Sequence, residues 1–256
     1  MSENLRETAD VETASDDYAR RFAGPIGRWF LDEQTSATLA LLSDLPAGAT
    51  VLDVGGGHGQ LAPALAHAGY QVLVVGSAAE AGQRLAAWVA AGQGRYQVAD
   101  LLALPFADRS FDAVVCFRLL AHSVAWPDLI GELCRVSRRV VVLDYPSTRS
   151  VNQLADRLFT WKKRIERNTR PFRLFSPADI GVGFARQGYE VVAQRPQFLW
   201  PMVLHRAHGS RGLARVLEAP GRLLRVTALF GSPVVVRADR RESGRDEPGA
   251  HGPQVP

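Results

Sequence analysis

An α/β fold organised on a doubly wound, mainly parallel sheet is what this sequence predicts, and three observations carry the prediction. Short apolar runs of four or five residues alternate with segments of helical apolar spacing from position 51 onward. The first run is followed by alternating glycines and then by a helical pattern, the strand, turn and helix with which such sheets bind ligands. At 256 residues and 46% hydrophobic, the chain is long enough for one such domain with a substantial core.

Residues 1–15 are polar and acidic, and poor order is expected there. Tyr18, Phe22, Ile26, Trp29 and Phe30 then repeat at helical spacing, interrupted by Gly24-Pro25, which predicts two helices before the first strand. Val51-Leu52-Asp53-Val54 reads as that strand, Gly55, Gly57 and Gly59 as a tight turn, and residues 61–68 as a helix. Glycine is required where the turn needs backbone angles that a Cβ forbids and where a ligand approaches the main chain. The helix points its free N–H groups at that ligand. A dinucleotide fingerprint fits only weakly, because the sixth place from Gly55 is Gln60 and from Gly57 is Ala62, the tolerated substitute for glycine.

Further on, Gln71-Val72-Leu73-Val74-Val75 predicts a second strand and residues 78–91 a second helix. Tyr96 to Asp100 is a third strand ending in an acid, and Ala113-Val114-Val115-Cys116-Phe117 a fourth, with Arg118 to His122 at its carboxyl end. A helix over 127–137, a fifth strand over 139–144 and a long helical stretch over 150–167 follow. That stretch has Leu154, Leu158, Trp161 and Ile165 on one face and Arg157, Lys162, Lys163, Arg164 and Arg167 elsewhere. Ser176 caps a helix with Pro177 in its first turn, and residues 189–193 form a sixth strand. A basic helix over 212–229, broken near Pro220-Gly221, precedes a last strand at 232–238, and a disordered tail is expected from 239.

The formal net charge of +4 conceals an asymmetry: residues 1–146 carry −6 and residues 147–241 carry +12. An anionic substrate, a membrane surface, nucleic acid or a merely solvated surface are all compatible with it. No apolar run reaches the ~20 residues of a membrane span, and the polar start has no signal-peptide pattern, so a cytoplasmic location is expected. Cys116 and Cys134 fall in apolar periodic stretches and read as buried free thiols, without a metal.

The pattern Asp53-x-Gly55-x-Gly57-x-Gly59 resembles the first motif of class I S-adenosyl-L-methionine (SAM)-dependent methyltransferases. The run at 99–112, Ala-Asp-Leu-Leu-Ala-Leu-Pro-Phe-Ala-Asp-Arg-Ser-Phe-Asp, resembles the methyltransferase type-11 subgroup, which includes the ubiquinone/menaquinone C-methyltransferases. This resemblance implies a Rossmann-like seven-stranded sheet whose last strand runs antiparallel between the fifth and sixth. It also implies one domain over 16–240, with a helical cap at 16–48, a lid insertion at 146–175 and a helical insertion at 200–230. The cofactor implied is SAM, held by Asp53, Gly55, Gly57, Gly59, Gly76, Ser77, Asp100, Leu101 and Phe117. A carboxylate at 100 can accept the adenine amine while the Leu101 N–H donates to a ring nitrogen. The chain departs from the family at the end of strand two, where Gly76-Ser77 replaces the acid that accepts the ribose hydroxyls. Ser77, Glu80 or water is left to fill that role.

The activity implied is methyl transfer to an oxygen, nitrogen or carbon of a small-molecule acceptor, with the protein aligning the reactants. His122 is the candidate base and Tyr145 lines the acceptor pocket, while His58 supports the glycine turn. Arg170 and Arg173 are the candidate grips for an anionic or amphiphilic acceptor. Nucleic acid is not the expected partner, because no Asn/Asp-Pro-Pro-Tyr/Phe motif follows strand four, while peripheral membrane contact fits the basic helices. The alternative, motivated by Gly76, is a SAM-binding protein that does not methylate.

Overall fold

The computed structural model describes residues 6–150 and 172–241. All but the first residue of the helical stretch at 150–167, including its five basic residues, together with Arg170 and the tail beyond 241, lie outside the described residues. Seven strands form one sheet: β1 (Thr50–Val54), β2 (Gln71–Gly76), β3 (Arg95–Val98), β4 (Phe111–Cys116), β5 (Ser137–Tyr145), β6 (Tyr189–Pro196) and β7 (Val234–Arg240). Their spatial order is β3-β2-β1-β4-β5-β7-β6. β1 to β5 pair parallel, and β7 is antiparallel to both β5 and β6. The carboxyl ends of β1, β2, β4, β5 and β6 therefore share one edge, and strand order reverses between β1 and β4, where open sheets hold ligands.

The central strands read as unbroken apolar runs because both faces are covered. Alternate residues of β4 divide between two cores: Val114 and Cys116 pack with Leu133, Ile180 and Phe184. Ala113 and Val115 pack instead with Leu42, Leu65 and Trp88. The first face is covered by α6 (Trp126–Val136) and α7 (Pro177–Ala185); the second by α3 (Gly24–Leu42), α4 (Leu61–His67) and α5 (Ala86–Ala90). Ser176 caps α7 with a reciprocal capping box to Asp179. Both cysteines are free and buried.

Several local expectations are corrected. The helix expected over 127–137 and the strand expected over 139–144 adjoin directly, since α6 ends at Val136 and β5 starts at Ser137. The Tyr189 hydroxyl and the Arg240 guanidinium donate to the carbonyls of Cys134 and Ser137, so the abrupt helix end has partners without a turn. The helix expected over 78–91 is a 3-10 segment, Ala79–Leu85, before the short α5. Three helices occupy the insertion: α8 (Met202–His208), α9 (Arg211–Leu223) and α10 (Val226–Phe230). The break falls at left-handed Arg225, while α9 runs through Pro220.

The start of the chain also departs from expectation. Helix α1 (Ala9–Thr13) precedes α2 (Asp16–Arg20), and Ala9, Asp10 and Thr13 are buried. Ala9 joins the core that contains Leu52, Val54, Leu101 and Leu119. Polar bonds hold the segment: Glu7 accepts from the Ala9 N–H, Arg6 donates to the Ser77 carbonyl, and Arg84 donates to the Ala14 carbonyl. Composition hides this order because long-range hydrogen bonds, rather than an apolar periodicity, fix the segment. Amides of Ala14 and Ser15, bonded to Asp10 and Glu12 carbonyls, should exchange hydrogen at least about ten-fold slower than in a free peptide. Exchange at the free-peptide rate, read by mass spectrometry, would show the segment unseated.

Candidate functional site

The chain leaves β1 at Val54 and turns over through left-handed Gly55 (φ 74°) and Gly59 (φ 73°) around a single 3-10 turn, Gly56–His58. Those two glycines meet the conformational requirement expected of the turn. Gly57 is needed for another reason. A Cβ there would run into the Ala81 carbonyl oxygen, and one on Gly56 would strike the Asp53 carboxylate. The turn is thus packed on the chain's own strand-two crossover.

Asp53 is fully buried at the end of β1, and neither carboxylate oxygen has a hydrogen-bond partner. Burial pushes its carboxyl up to about 7, with the Arg118 charge pulling the other way. Arg118 itself follows β4 in a left-handed conformation, φ 58°. Its backbone N–H donates to Asp144 Oδ1 at 2.6 Å, and one guanidinium nitrogen lies 2.7 Å from both His58 Nδ1 and Gln60 Oε1. A guanidinium only donates, so His58 accepts at Nδ1 and carries its proton on Nε2, which is buried without a partner. Burial and Arg118 hold the His58 imidazole well below its usual range, hence neutral. Asp144, at the end of β5, also accepts from Gln34 Nε2 at 3.1 Å, and burial raises it to about 6. Gln60 reaches back to the Leu31 carbonyl and the Thr35 hydroxyl, tying the turn to α3. His58 is thus tied into this network through Arg118.

At the end of β2 the structure brings in a group that the sequence does not point to. Ser77 donates its N–H and hydroxyl to Asp10, at 2.6 and 2.5 Å. A Cβ built on Gly76 would stand 3.0 Å from Asp10 Oδ2 and collide with the Tyr96 hydroxyl. The Asp10 carboxylate therefore lies beside the place that a side chain at 76 would fill. Glu80 stands farther out, on a cleft of about 520 Å³ that also borders Val11, Ala14 and Arg84.

The remaining expected residues divide. Asp100 follows β3 and accepts from the Leu102 N–H at 3.0 Å, while Leu101 is buried in the core. Phe117 is a core side chain on the α3 and α4 face. The Tyr145 hydroxyl is buried without a partner, and burial pushes the phenol up to about 12, so it stays protonated near neutrality. His122 stands between Phe172 and Tyr18, with ring centroids 5.5 and 6.5 Å away. Arg173 donates its backbone N–H to the Ala121 carbonyl and lays its guanidinium over Trp126 and Phe175. Asp10, Arg118 and Asp144 are the polar residues that sequence reasoning missed. For Arg118 and Asp144 a signal existed, a charge at the carboxyl end of an apolar run; for Asp10 there was none.

Residues 28–194 match the model of a methyltransferase domain family. An uncharacterized methyltransferase of Mycobacterium marinum is 34% identical over 149 residues, which cover 57% of this chain and 57% of that protein. The chain spans about half the length of the curated relatives it matches. In structure it is similar to magnesium protoporphyrin IX methyltransferase from Synechocystis with bound SAH, with a TM-score of 0.61 and 18% identity, over 88% of this chain and 94% of that one. It is also similar to the cyclase SpnF, with a TM-score of 0.56 and 16% identity, over 80% of each chain. Both structural likenesses are likenesses of fold.

The raised carboxyls set a pH dependence. A folded-state value above the unfolded one contributes stability that is full below the ordinary carboxylate range and lost as pH climbs through the folded values, here about 6 for Asp144 and about 7 for Asp53. Between pH 5 and pH 8 the ligand-free parent should lose more stability, or gain less, than Asp53→Asn does, because the depressed His58 acts in the opposite sense equally in both proteins. A parental slope in the variant, by scanning fluorimetry, would mean that Asp53 is ionised throughout.

Proposed function

Since the chain belongs to the methyltransferase domain family, we propose that it transfers a methyl group from SAM to a small-molecule acceptor at the carboxyl edge of β1, β2 and β4. The single observation that carries this reading is the glycine turn with Asp53 beneath it, a buried carboxylate with both oxygens unpartnered within the matched family region. Such a group is costly to bury alone and suits a cationic amino-acid moiety. Bound there, SAM supplies a methyl group already activated on a sulfonium.

The chain's own residues then bind, orient and hold protons. Asp53 accepts from the ammonium of the methionine part, near the turn formed by Gly55, Gly57 and Gly59. Asp10 takes the place of the missing strand-two acid: an ionised carboxylate has about four lone-pair sites, and Ser77 occupies two of them. The others suit the ribose hydroxyls, so Ser77 acts by orienting Asp10 beside Gly76. Asp100 and the Leu101 N–H face the adenine, and Phe117 contributes through the strand end it anchors. Tyr145, protonated at neutral pH, donates a hydrogen bond to the acceptor. His122 removes the acceptor proton where the reaction requires it. Arg173, held beside His122 through Ala121, grips an anionic or amphiphilic acceptor.

A second reading keeps SAM and drops methyl transfer. The neutral end of β2 and the likeness in fold to a cyclase favour it. Incubation with SAM and fractionated cell extract separates the two: an acceptor heavier by one methyl in place of hydrogen supports transfer, and an isomerised product of unchanged mass supports the alternative.

By calorimetry, the parent should bind SAM and S-adenosylhomocysteine. A hydrogen bond to a charged carboxylate contributes about 1.5–3 kcal/mol, so Asp10→Asn should weaken both ligands about ten-fold or more. Equal affinity in the variant would remove Asp10 from the ribose site, and preferential binding of NAD would overturn the cofactor. Once an acceptor is known, Arg173→Ala should raise its KM with SAM affinity unchanged; unchanged kinetics at low salt would leave Arg173 a structural cation stacked on Trp126.

A further inference from the structure

Helix α9 is amphipathic the wrong way round for a helix that only packs on its own domain. At helical spacing, Leu213, Val216, Leu217, Pro220, Leu223 and Leu224 fall on one stripe. That stripe faces outward: Val216 is 66%, Leu223 84% and Leu224 72% exposed. The face turned inward carries Ala214, Glu218 and Gly221, all buried. Ala214 packs with Trp29, Phe30 and Phe198. Glu218 accepts from the N–H groups of Leu199 and Trp200 and bonds His205 Nε2 at 2.9 Å. These bonds fix the rotation of the helix, so the outward stripe is imposed by the fold. Of the fourteen large apolar side chains exposed among the described residues, nine lie between Trp200 and Phe230.

Charge identifies what suits this surface. Residues 200–230 contain five arginines and a single acid, Glu218, which is buried. Arg211 and Arg222 pair with Asp32 and Glu33 of α3, whereas Arg215 and Arg225 make no ion pair among the described residues. A second copy docking through the same face would oppose arginine to arginine, an unfavourable isologous contact. An anionic lipid surface is complementary in both respects, taking the apolar stripe at the acyl boundary and the guanidinium groups among the headgroups. The position agrees. β6 runs parallel to β5, so the chain enters this insertion from the same sheet edge that carries Asp53, Arg118 and Asp144.

We propose that the outward stripe of α9, continued by Leu229 and Phe230 of α10 and flanked by Arg215 and Arg225, docks the protein on anionic membranes. The docking does not depend on methyl transfer, and its test is independent of SAM. The full chain is sedimented with vesicles of phosphatidylcholine alone and with vesicles containing about 30% phosphatidylglycerol, at low and high salt. Co-sedimentation with the anionic vesicles, reduced by salt and at least about ten-fold weaker for Leu223→Ser/Leu224→Ser, is the expected result. Both leucines are exposed, so the double variant should keep the parental circular dichroism; Arg215→Glu/Arg225→Glu, altering two other exposed side chains, should lose binding at low salt. A parent that stays in the supernatant, or variants that bind as the parent does, would overturn the proposal. So would a parental dimer in sedimentation velocity that the leucine variant abolishes, which would assign the face to a second copy.

Discussion

The guanidinium of Arg118 is the constraint around which this edge of the sheet is arranged. Removing a permanent charge from water is unfavourable unless its hydrogen-bonding groups are met. Arg118 ties the glycine turn to the end of β5 through one guanidinium nitrogen and its backbone N–H, although its Nε is buried without a partner. Asp144 receives the backbone N–H, and His58 and Gln60 receive the side chain. The Phe22 ring lies 4.9 Å from the guanidinium and supplies a polarisable face. Gln34 and Gln60 carry the network into α3. Neither oxygen of the neighbouring Asp53 gains a bond, and burial in that isolation raises its carboxyl. A preset electrostatic arrangement in which one carboxylate is left unmatched suits recognition of a cation, since its ionised form gains most when positive charge arrives.

The beginning of the chain completes the same edge from above. Asp10 is anchored by both donors of Ser77, and Ala9 inserts among Leu52, Val54 and Leu119. Burial raises the Asp10 carboxyl while the Ser77 hydrogen bonds lower it, leaving a net upward displacement. The segment therefore contributes a carboxylate where strand two has only Gly76, and at the same time covers the strand ends. A ligand over β1 and β2 has to share that space with residues 7–14 or move them, so the order of this short helix and the affinity of the site are physically coupled.

The insertion after β6 follows a different rule from the rest of the molecule. In the sheet layers, apolar faces meet apolar faces, as Val114 and Val115 do on opposite sides of β4. In α9 the buried Glu218 satisfies two backbone N–H groups of the loop and the ring of His205, and that polar requirement turns Val216, Leu223 and Leu224 to the outside. Trp29 and Phe30 of α3, packed on Phe198 and close to His205, bind the insertion to the same helix that braces the glycine turn. Surface contact and the candidate site thus share one structural support.

Apart from the 3-10 segment Ala79–Leu85, local pattern was enough to place the strands, the left-handed turn at Gly55 and Gly59 and most helices packed on the sheet. Each of these depends on neighbours within a few residues: β-spacing, helical spacing and backbone angles open to glycine. Even there, the reason for Gly57 was hidden, because the atom it must avoid belongs to Ala81. Tertiary structure alone decided which groups occupy the strand ends. Asp10 reaches Ser77 across 67 positions and Gln34 reaches Asp144 across 110, and no periodicity in the chain encodes such pairs. It also decided which face of α9 points outward, since that depends on a buried carboxylate finding donors at Leu199 and Trp200. Apolar spacing specifies that a helix has two faces; only the satisfaction of buried polar groups specifies which of them meets water.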